Sequence, residues 1–193
     1  MNSRNNKNVL LQLLFILFCV IVLTIPAFST EVAETPEILI TSIGQSPDAR
    51  MINVLLSRFQ IAAAYEQIAY PEMIEDYKII IAVVGGSSKG LGAAGIDKNE
   101  ELDRTKSLIE EIKKRKITFL VMHIGGEARR GALSDAFLDL VVPEADHLII
   151  VKAGNEDGYF TKMSTDHEIP LESVEKIADT GELVKNYLEE HLK

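Results

Sequence analysis

Residues 79–84, 117–124 and 148–151 of this chain are almost wholly apolar, and a helical pattern separates each run from the next. A strand solvated on one face alternates polar with apolar residues; one that is apolar at every position must be covered on both faces. Runs of about four to eight such residues are too short for a buried helix. They require a parallel sheet with helices above and below. The expected fold is α/β, a three-layer sandwich of flavodoxin-like or Rossmann-like type, with a mostly parallel sheet of five to six strands.

The remaining elements fit that scheme. Residues 38–43 (I-L-I-T-S-I) read as the first strand and 65–70 as a short second one; 71–76 reads as a single helical turn, and 171–177, alternating and weaker, as an edge strand. The first helix presents Ala49, Ile52, Leu55, Leu56 and Phe59 on one face, with Ser46 as cap, Pro47 in the first turn and Asp48 at the positive end of the dipole. A helix opening at Asp97, with Glu100 three residues on, buries Leu102, Leu108, Ile109 and Ile112. It leaves Glu110 with Lys114 and Glu111 with Arg115 as solvated pairs. Ser134 is expected to cap the helix carrying Phe137, Leu138 and Val141, and Asp157-Gly158 to open a helix through Met163. Asp179 with Glu182 is expected to cap the last helix, which turns Leu183, Val184, Tyr187, Leu188 and Leu192 inward. The favoured strand order is 2-1-3-4-5 with a sixth edge strand, over 3-2-1-4-5-6.

The amino terminus reads differently. Arg4 and Lys7 precede an apolar run from Val9 to about Phe28, and Ala27-Phe28-Ser29 offers small residues where a signal peptidase reads. Residues 1–29 are read as a signal peptide, 30–37 as a flexible tether and 38–193 as a single α/β domain, giving an exported protein, periplasmic or extracellular. The alternative is an uncleaved membrane anchor, since about 20 apolar residues also span a bilayer. Gln12, Pro26 and the small-residue exit favour cleavage. The one cysteine, Cys19, leaves with the leader, which excludes disulfides, thiol catalysis and cysteine-ligated metals from residues 30–193. The leader takes two of the 20 basic residues and none of the 29 acidic ones, leaving 18 against 29, a formal charge of −11. Such a surface argues against nucleic acid or an anionic membrane as partner, so a membrane is reached only through an uncleaved leader.

After the third strand comes Gly85-Gly86-Ser87-Ser88-Lys89-Gly90-Leu91-Gly92-Ala93-Ala94-Gly95, five glycines and two serines in eleven residues. It reads as a loop at the carboxyl end of a parallel strand, where α/β folds place ligands, facing Ser42-Ile43-Gly44-Gln45-Ser46 across the switch point. Backbone N–H groups around Gly44, Gln45 and Ser46 and around Gly85, Gly86 and Gly90 are expected to form an anion nest. Ser42, Ser87 and Ser88 add hydroxyls and Lys89 a charge. Capping accounts for Ser46 completely, but not for Ser87, Ser88, Lys89 and the repeated glycines.

Gly86-Ser87-Ser88-Lys89-Gly90 matches G-x-S-x-G, but Gly90 to Gly95 stand where the nucleophile elbow needs a helix, and too few strands precede it. The glycine spacing of short-chain dehydrogenases is present without its context: it follows a later strand, and Tyr159 and Lys162 are one residue too close for Tyr-x-x-x-Lys. The phosphate loop G-x-x-x-x-G-K-[ST] fails because Leu91 stands where lysine is required.

A second cluster, His123-Ile124-Gly125-Gly126-Glu127-Ala128-Arg129-Arg130-Gly131, follows the fourth strand. Its two arginines either grip a carboxylate or phosphate bidentately or are saturated by Glu127, Asp135 or Asp139. His123 reads as a hydrogen-bonded structural histidine; with Glu127 and Asp48 it has the composition of an oxygen-rich metal site, which nothing in the spacing demands. No metal or other cofactor is expected. The third loop, Gly154-Asn155-Glu156-Asp157-Gly158, has turn and capping chemistry.

The segments G-Q-S-P-D (44–48), V-G-G-S-S-K-G-L-G-A-A-G-I (84–96) and H-I-G-G-E-A-R-R-G-A-L-S-D (123–135) together resemble a family of bacterial secreted proteins catalogued as a domain of unknown function. The likeness covers nearly all of residues 30–193. It implies an exported bacterial protein and assigns no activity to any residue. The function expected from the residues themselves is binding of a small anionic ligand at the carboxyl edge of the sheet. The alternatives are a hydrolase with Ser88 or Ser87 as nucleophile and His123 as base, and a non-catalytic interaction module serving an envelope or transport complex.

Overall fold

The computed structural model describes residues 36–192. The signal-peptide reading and nearly all of the tether lie outside those residues. Six strands form one all-parallel sheet: β1 (Ile38–Ile43), β2 (Ala64–Glu66), β3 (Ile79–Val84), β4 (Thr118–His123), β5 (His147–Val151) and β6 (Leu171–Val174). Their order is β2-β1-β3-β4-β5-β6, the flavodoxin-like order with a sixth edge strand. Among the described residues no helix is long and apolar enough to cross a membrane.

Two apolar layers lie on the sheet, and the pleat decides which residues enter each. Successive side chains point to opposite faces, so Ile80 joins one layer while Ile79 and Ile81 join the other. On one face, α1 (Asp48–Arg58) and α6 (Thr180–His191) press Ala49, Ile52, Leu56, Val184 and Leu188 onto Ile40, Ile81, Leu120 and Ile149. On the other, α3 (Lys98–Arg115), α4 (Ala132–Val141) and α5 (Tyr159–His167) bring Leu108, Ile112, Phe137, Leu138 and Phe160 onto Leu39, Ala82, Phe119 and Ile150.

Several local expectations are corrected. The second strand ends at Glu66 and does not run to Tyr70. Beyond it the chain is bound to side chains and loops: Ala69 N donates to Thr41 Oγ1 and Ser42 N to Gln67 O. The turn after it is a short 3-10 segment, Pro71–Met73, and β6 stops at Val174. Helix α5 continues past Met163 to His167. Ser134 is not a cap: α4 begins at Ala132 after Gly131, whose φ of +119° suits glycine. Asp179 makes no side-chain cap and ends a 3-10 turn. The Asp97–Glu100 capping box is present as expected, but Lys114 pairs with Glu111 instead of Glu110.

The largest correction concerns the glycine stretch. Residues Ser88–Ala94 form a helix, α2, capped by Ser87, whose Oγ accepts from Gly90 N at 3.0 Å. Gly95 ends it with a φ of +72°. Two glycines inside α2 have opposite reasons to exist. A Cβ at Gly90 would stand 1.9 Å from the backbone oxygen of Gln45, whereas a Cβ at Gly92 would meet nothing within 4 Å. Gly90→Ala is therefore expected to destabilise the fold by about 1–3 kcal/mol through overpacking. Gly92→Ala is expected to stabilise it by roughly 0.5–1 kcal/mol, because glycine costs that much inside a helix. Thermal unfolding of the two variants checks this, and equal shifts in one direction contradict it.

Candidate functional site

The loops after β1 and β3 meet at the carboxyl edge of the sheet and are stitched to each other. Gly85 N donates to Ile43 O at 2.9 Å, Ser46 N to Gly85 O at 3.1 Å, and Ser87 N to Gly44 O at 2.8 Å. Gly86 N donates to Ser134 Oγ at 2.9 Å, joining the pair of loops to α4. The glycines allow this approach: a Cβ at Gly44 would lie 2.7 Å from Gly85 O, and one at Gly86 2.7 Å from Ser134 N. The N–H groups of Gly44, Ser46, Gly85, Gly86, Ser87 and Gly90 thus all have partners inside the protein. Of the amides expected to form an anion nest, those of Gly44, Ser46, Gly85, Gly86 and Gly90 are spent on the protein itself, and that of Gln45 has no partner among the described residues; the glycines serve loop-to-loop packing.

A buried ion pair on α3 holds the first loop in shape. The Glu101 carboxylate accepts from Gly44 N at 2.8 Å, from Gln45 Nε2 at 2.9 Å, and from Arg104 Nε and Nη2 at 2.7 Å each. Arg104 also donates to Ala69 O at 2.6 Å and Ser42 O at 2.9 Å. Glu101 is fully buried and Arg104 nearly so. Gly44 and Gln45, at φ of +83° and +60°, are the strained turn that this carboxylate grips. Neither Glu101 nor Arg104 was singled out from the sequence. Their spacing carried a signal, since 101, 104, 105, 108 and 112 lie on one helical stripe and 108 and 112 are apolar.

The expected site residues separate. Ser42 and Ser46 are fully buried, the Ser42 hydroxyl donating to Ser46 O and the Ser46 hydroxyl accepting from Asp48 N, each at 3.2 Å. Ser88 is exposed. Arg130 is saturated: it donates to Asp135 at 2.9 Å, Gly154 O at 2.9 Å and Asp157 at 3.1 Å, and lies 4.6 Å from the Tyr159 ring centroid. With Glu127 it borders a separate small pocket of about 380 Å³ beside Asp135 and Asp157. Arg129 points the other way. Its side chain is 39 % exposed, and its guanidinium reaches only a long contact, 3.7 Å, with Asp48 Oδ1.

His123 is fully buried, stacked on Phe160 at 5.3 Å between centroids. Its Nδ1 lies 2.9 Å from Val84 O, which can only accept, so Nδ1 carries the proton and Nε2 the lone pair. That Nε2 and Asp48 Oδ2 are buried atoms with no hydrogen-bond partner among the described residues. Neither serine of the glycine stretch is hydrogen-bonded to His123. Burial holds the His123 pKa below its ordinary 6.5, against the opposing bond to Val84 O.

What remains at the edge is an open groove of about 910 Å³ between the β1–α1 turn, the end of β2 and α2. Gln45, Ser87, Lys89, Gly90 and Arg129 line it, as the sequence placed them. Arg50, Tyr65, Gln67 and Ile68 also line it and were not anticipated, because the second strand was expected to run through 65–70. Arg50 lies 5.7 Å from the Tyr65 ring centroid, and burial raises the Tyr65 hydroxyl above the ordinary phenol range while Arg50 opposes that rise. Among the described residues three cations line the groove, at Arg50, Lys89 and Arg129, and no carboxylate does. A larger cavity, about 1040 Å³, opens at the opposite, amino-terminal edge beside Thr118, His147 and Tyr187. There Lys113 is paired with Glu144 and His147 with Glu172. That cavity carries Lys113 and Lys116 against Glu144, Asp146, Glu172 and Glu190, an excess of acid, whereas the carboxyl-edge groove carries an excess of cations.

Two outcomes follow from the buried groups. Glu101→Gln leaves Arg104 without its counter-charge in the interior and is expected to cost about 3–5 kcal/mol in urea unfolding; a loss under about 1 kcal/mol shows the pair is not structural. His123 has a folded pKa below its unfolded value, so the unfolded chain binds the extra proton first and stability falls as pH drops below about 6.5. Between pH 7 and 5 the stability of His123→Gln is expected to decline less steeply than that of the wild type. Parallel curves contradict the assignment.

Comparison with known proteins adds the following. No curated protein matches the sequence. Among solved structures, AlinE4, an SGNH-hydrolase family esterase, is 12 % identical, with 69 % of this chain and 72 % of that chain covered and a TM-score of 0.29. A serine-to-alanine mutant of AlinE4 is also 12 % identical, over 80 % of this chain and 93 % of that one, again at 0.29. Likeness at that level carries no argument about this chain. Residues 35–188, nearly all of the sheet and its helices, match the family described as Domain of unknown function (DUF6305), and the chain belongs to that family.

Proposed function

We propose that this protein binds a small anionic ligand in the groove at the carboxyl edge of β1 and β3. The observation that carries the reading is the charge of the lining. The whole chain has a formal charge of −9, yet the groove presents Arg50, Lys89 and Arg129 and, among the described residues, no acid. Arg50 and Lys89 have no ion-pair partner among the described residues, and Arg129 has only the 3.7 Å contact to Asp48. Cations left unpaired in a concave wall focus a positive field and raise the local concentration of anions. Guanidinium groups then offer paired N–H donors that match a carboxylate or phosphate. Ser87 stands beside them with a hydroxyl that accepts from Gly90 N and keeps its proton to donate, while the Gln45 amide is held by Glu101. Glu101 and Arg104 are positioning residues here, because they hold Gln45 in the one backbone conformation that shapes this wall.

A panel of carboxylates, sulfonates and phosphates, with neutral analogues, is to be titrated calorimetrically into the protein and into the triple variant Arg50→Gln, Lys89→Gln, Arg129→Gln. Anions that bind are expected to lose at least about tenfold in affinity in the variant, about 1.4 kcal/mol, and to weaken as salt rises. The unchanged fold of the variant is checked by its melting temperature. If affinities are equal in both proteins, or neutral analogues bind as well as anions, the reading is wrong.

A further inference from the structure

We infer that the ligand of this groove is an amphipathic anion, an apolar body joined to a carboxylate or other oxyanion, and not a bare inorganic ion; the inference rests on the groove being the anion site. Size is the first ground. The groove holds about 910 Å³. A water molecule's share of the liquid is about 30 Å³, so an inorganic oxyanion of a few water volumes fills roughly a tenth of the space. The second ground is the wall. Besides the three cations and the polar Gln45, Gln67 and Ser87, the wall carries the apolar surfaces of Pro47, Tyr65, Ile68, Ala93 and Ala94.

The apolar residues come from separate elements: Pro47 from the β1–α1 turn, Tyr65 and Ile68 from β2 and the segment after it, Ala93 and Ala94 from α2. They close around one space from three sides. Arg50 beside the Tyr65 ring sets a charge next to an aromatic face, so an anionic head and an apolar body find their partners side by side. Helix α2 explains why the last turn of the glycine stretch reads Ala93-Ala94: these small side chains leave the wall apolar and the groove wide. Each buried methylene is worth roughly fourfold in affinity, so a chain of several carbons outweighs what the head group alone supplies.

The test is a homologous series of butyrate, hexanoate and octanoate, with octanamide and inorganic phosphate as controls, titrated calorimetrically into the protein, into Ile68→Ser and into Arg129→Gln. Affinity is expected to rise at least about tenfold from butyrate to octanoate, less than the full fourfold per methylene because the groove is open. Octanamide and phosphate are each expected to bind at least tenfold more weakly than octanoate. Ile68→Ser is expected to flatten the series at an unchanged melting temperature. If phosphate and butyrate bind as tightly as octanoate and lose affinity in Arg129→Gln, the groove remains an anion site and the amphipathic assignment is overturned. If octanamide matches octanoate, or no probe binds, the anion site falls with it.

Discussion

The four hydrogen bonds on the buried Glu101 carboxylate are the interaction on which the rest of the carboxyl edge depends. A buried carboxylate is tolerated only with a charge partner and filled lone pairs. Arg104 supplies the first, and Gly44 N and Gln45 Nε2 complete the second. In exchange the β1–α1 turn adopts positive φ at two consecutive residues, a conformation that a short loop does not hold unaided. Arg104 extends the tie to Ser42 O and Ala69 O, so one helix braces the ends of β1 and of the segment beyond β2.

From that turn the geometry propagates. Gln45 is fixed, so its carbonyl fills the space where a Cβ at residue 90 would stand, and only glycine fits α2 against it. Gly86 meets α4 in the same way, through Ser134. Glycines that suggest a phosphate cradle in isolation are used to bring backbone against backbone. The amides of Gly44, Ser46, Gly85, Gly86, Ser87 and Gly90 are consumed by this packing, and the charge that faces the groove comes from side chains.

The arginine pair shows how position divides neighbours. Arg129 and Arg130 are adjacent in a 3-10 turn and its flank, yet Arg130 turns onto Tyr159, Asp135 and Asp157 while Arg129 faces the groove. The first is a structural cation held by acids on α4 and before α5. The second keeps its charge in an otherwise acid-free wall. His123, two residues before the glycine pair, is pulled into the core by Val84 O and Phe160, so its chemistry is that of a neutral buried ring.

What the sequence by itself determined was the layered architecture. Apolar runs at residues 79–84, 117–124 and 148–151 have no stable home except a parallel sheet covered on both faces, and period 3.6 between them fixes the helices. Of the two strand orders compatible with it, the favoured one, 2-1-3-4-5 with a sixth edge strand, is the one that pairing in the folded sheet selected. The capping box at Asp97 was legible because caps are local. The tertiary structure alone decided which polar residues were spent and which were left. Ser42, Ser46, His123 and Arg130 were all chemically eligible; His123 and Arg130 found partners in segments distant in sequence, and Ser42 and Ser46 were buried with partners in their own turn. Arg50, Tyr65 and Ile68 carried no motif; they became groove residues because α1, β2 and the segment beyond its early end at Glu66 meet at this edge. Hydrogen-bond satisfaction is a property of neighbours brought together by folding, and a linear pattern records residue types without recording who satisfies whom.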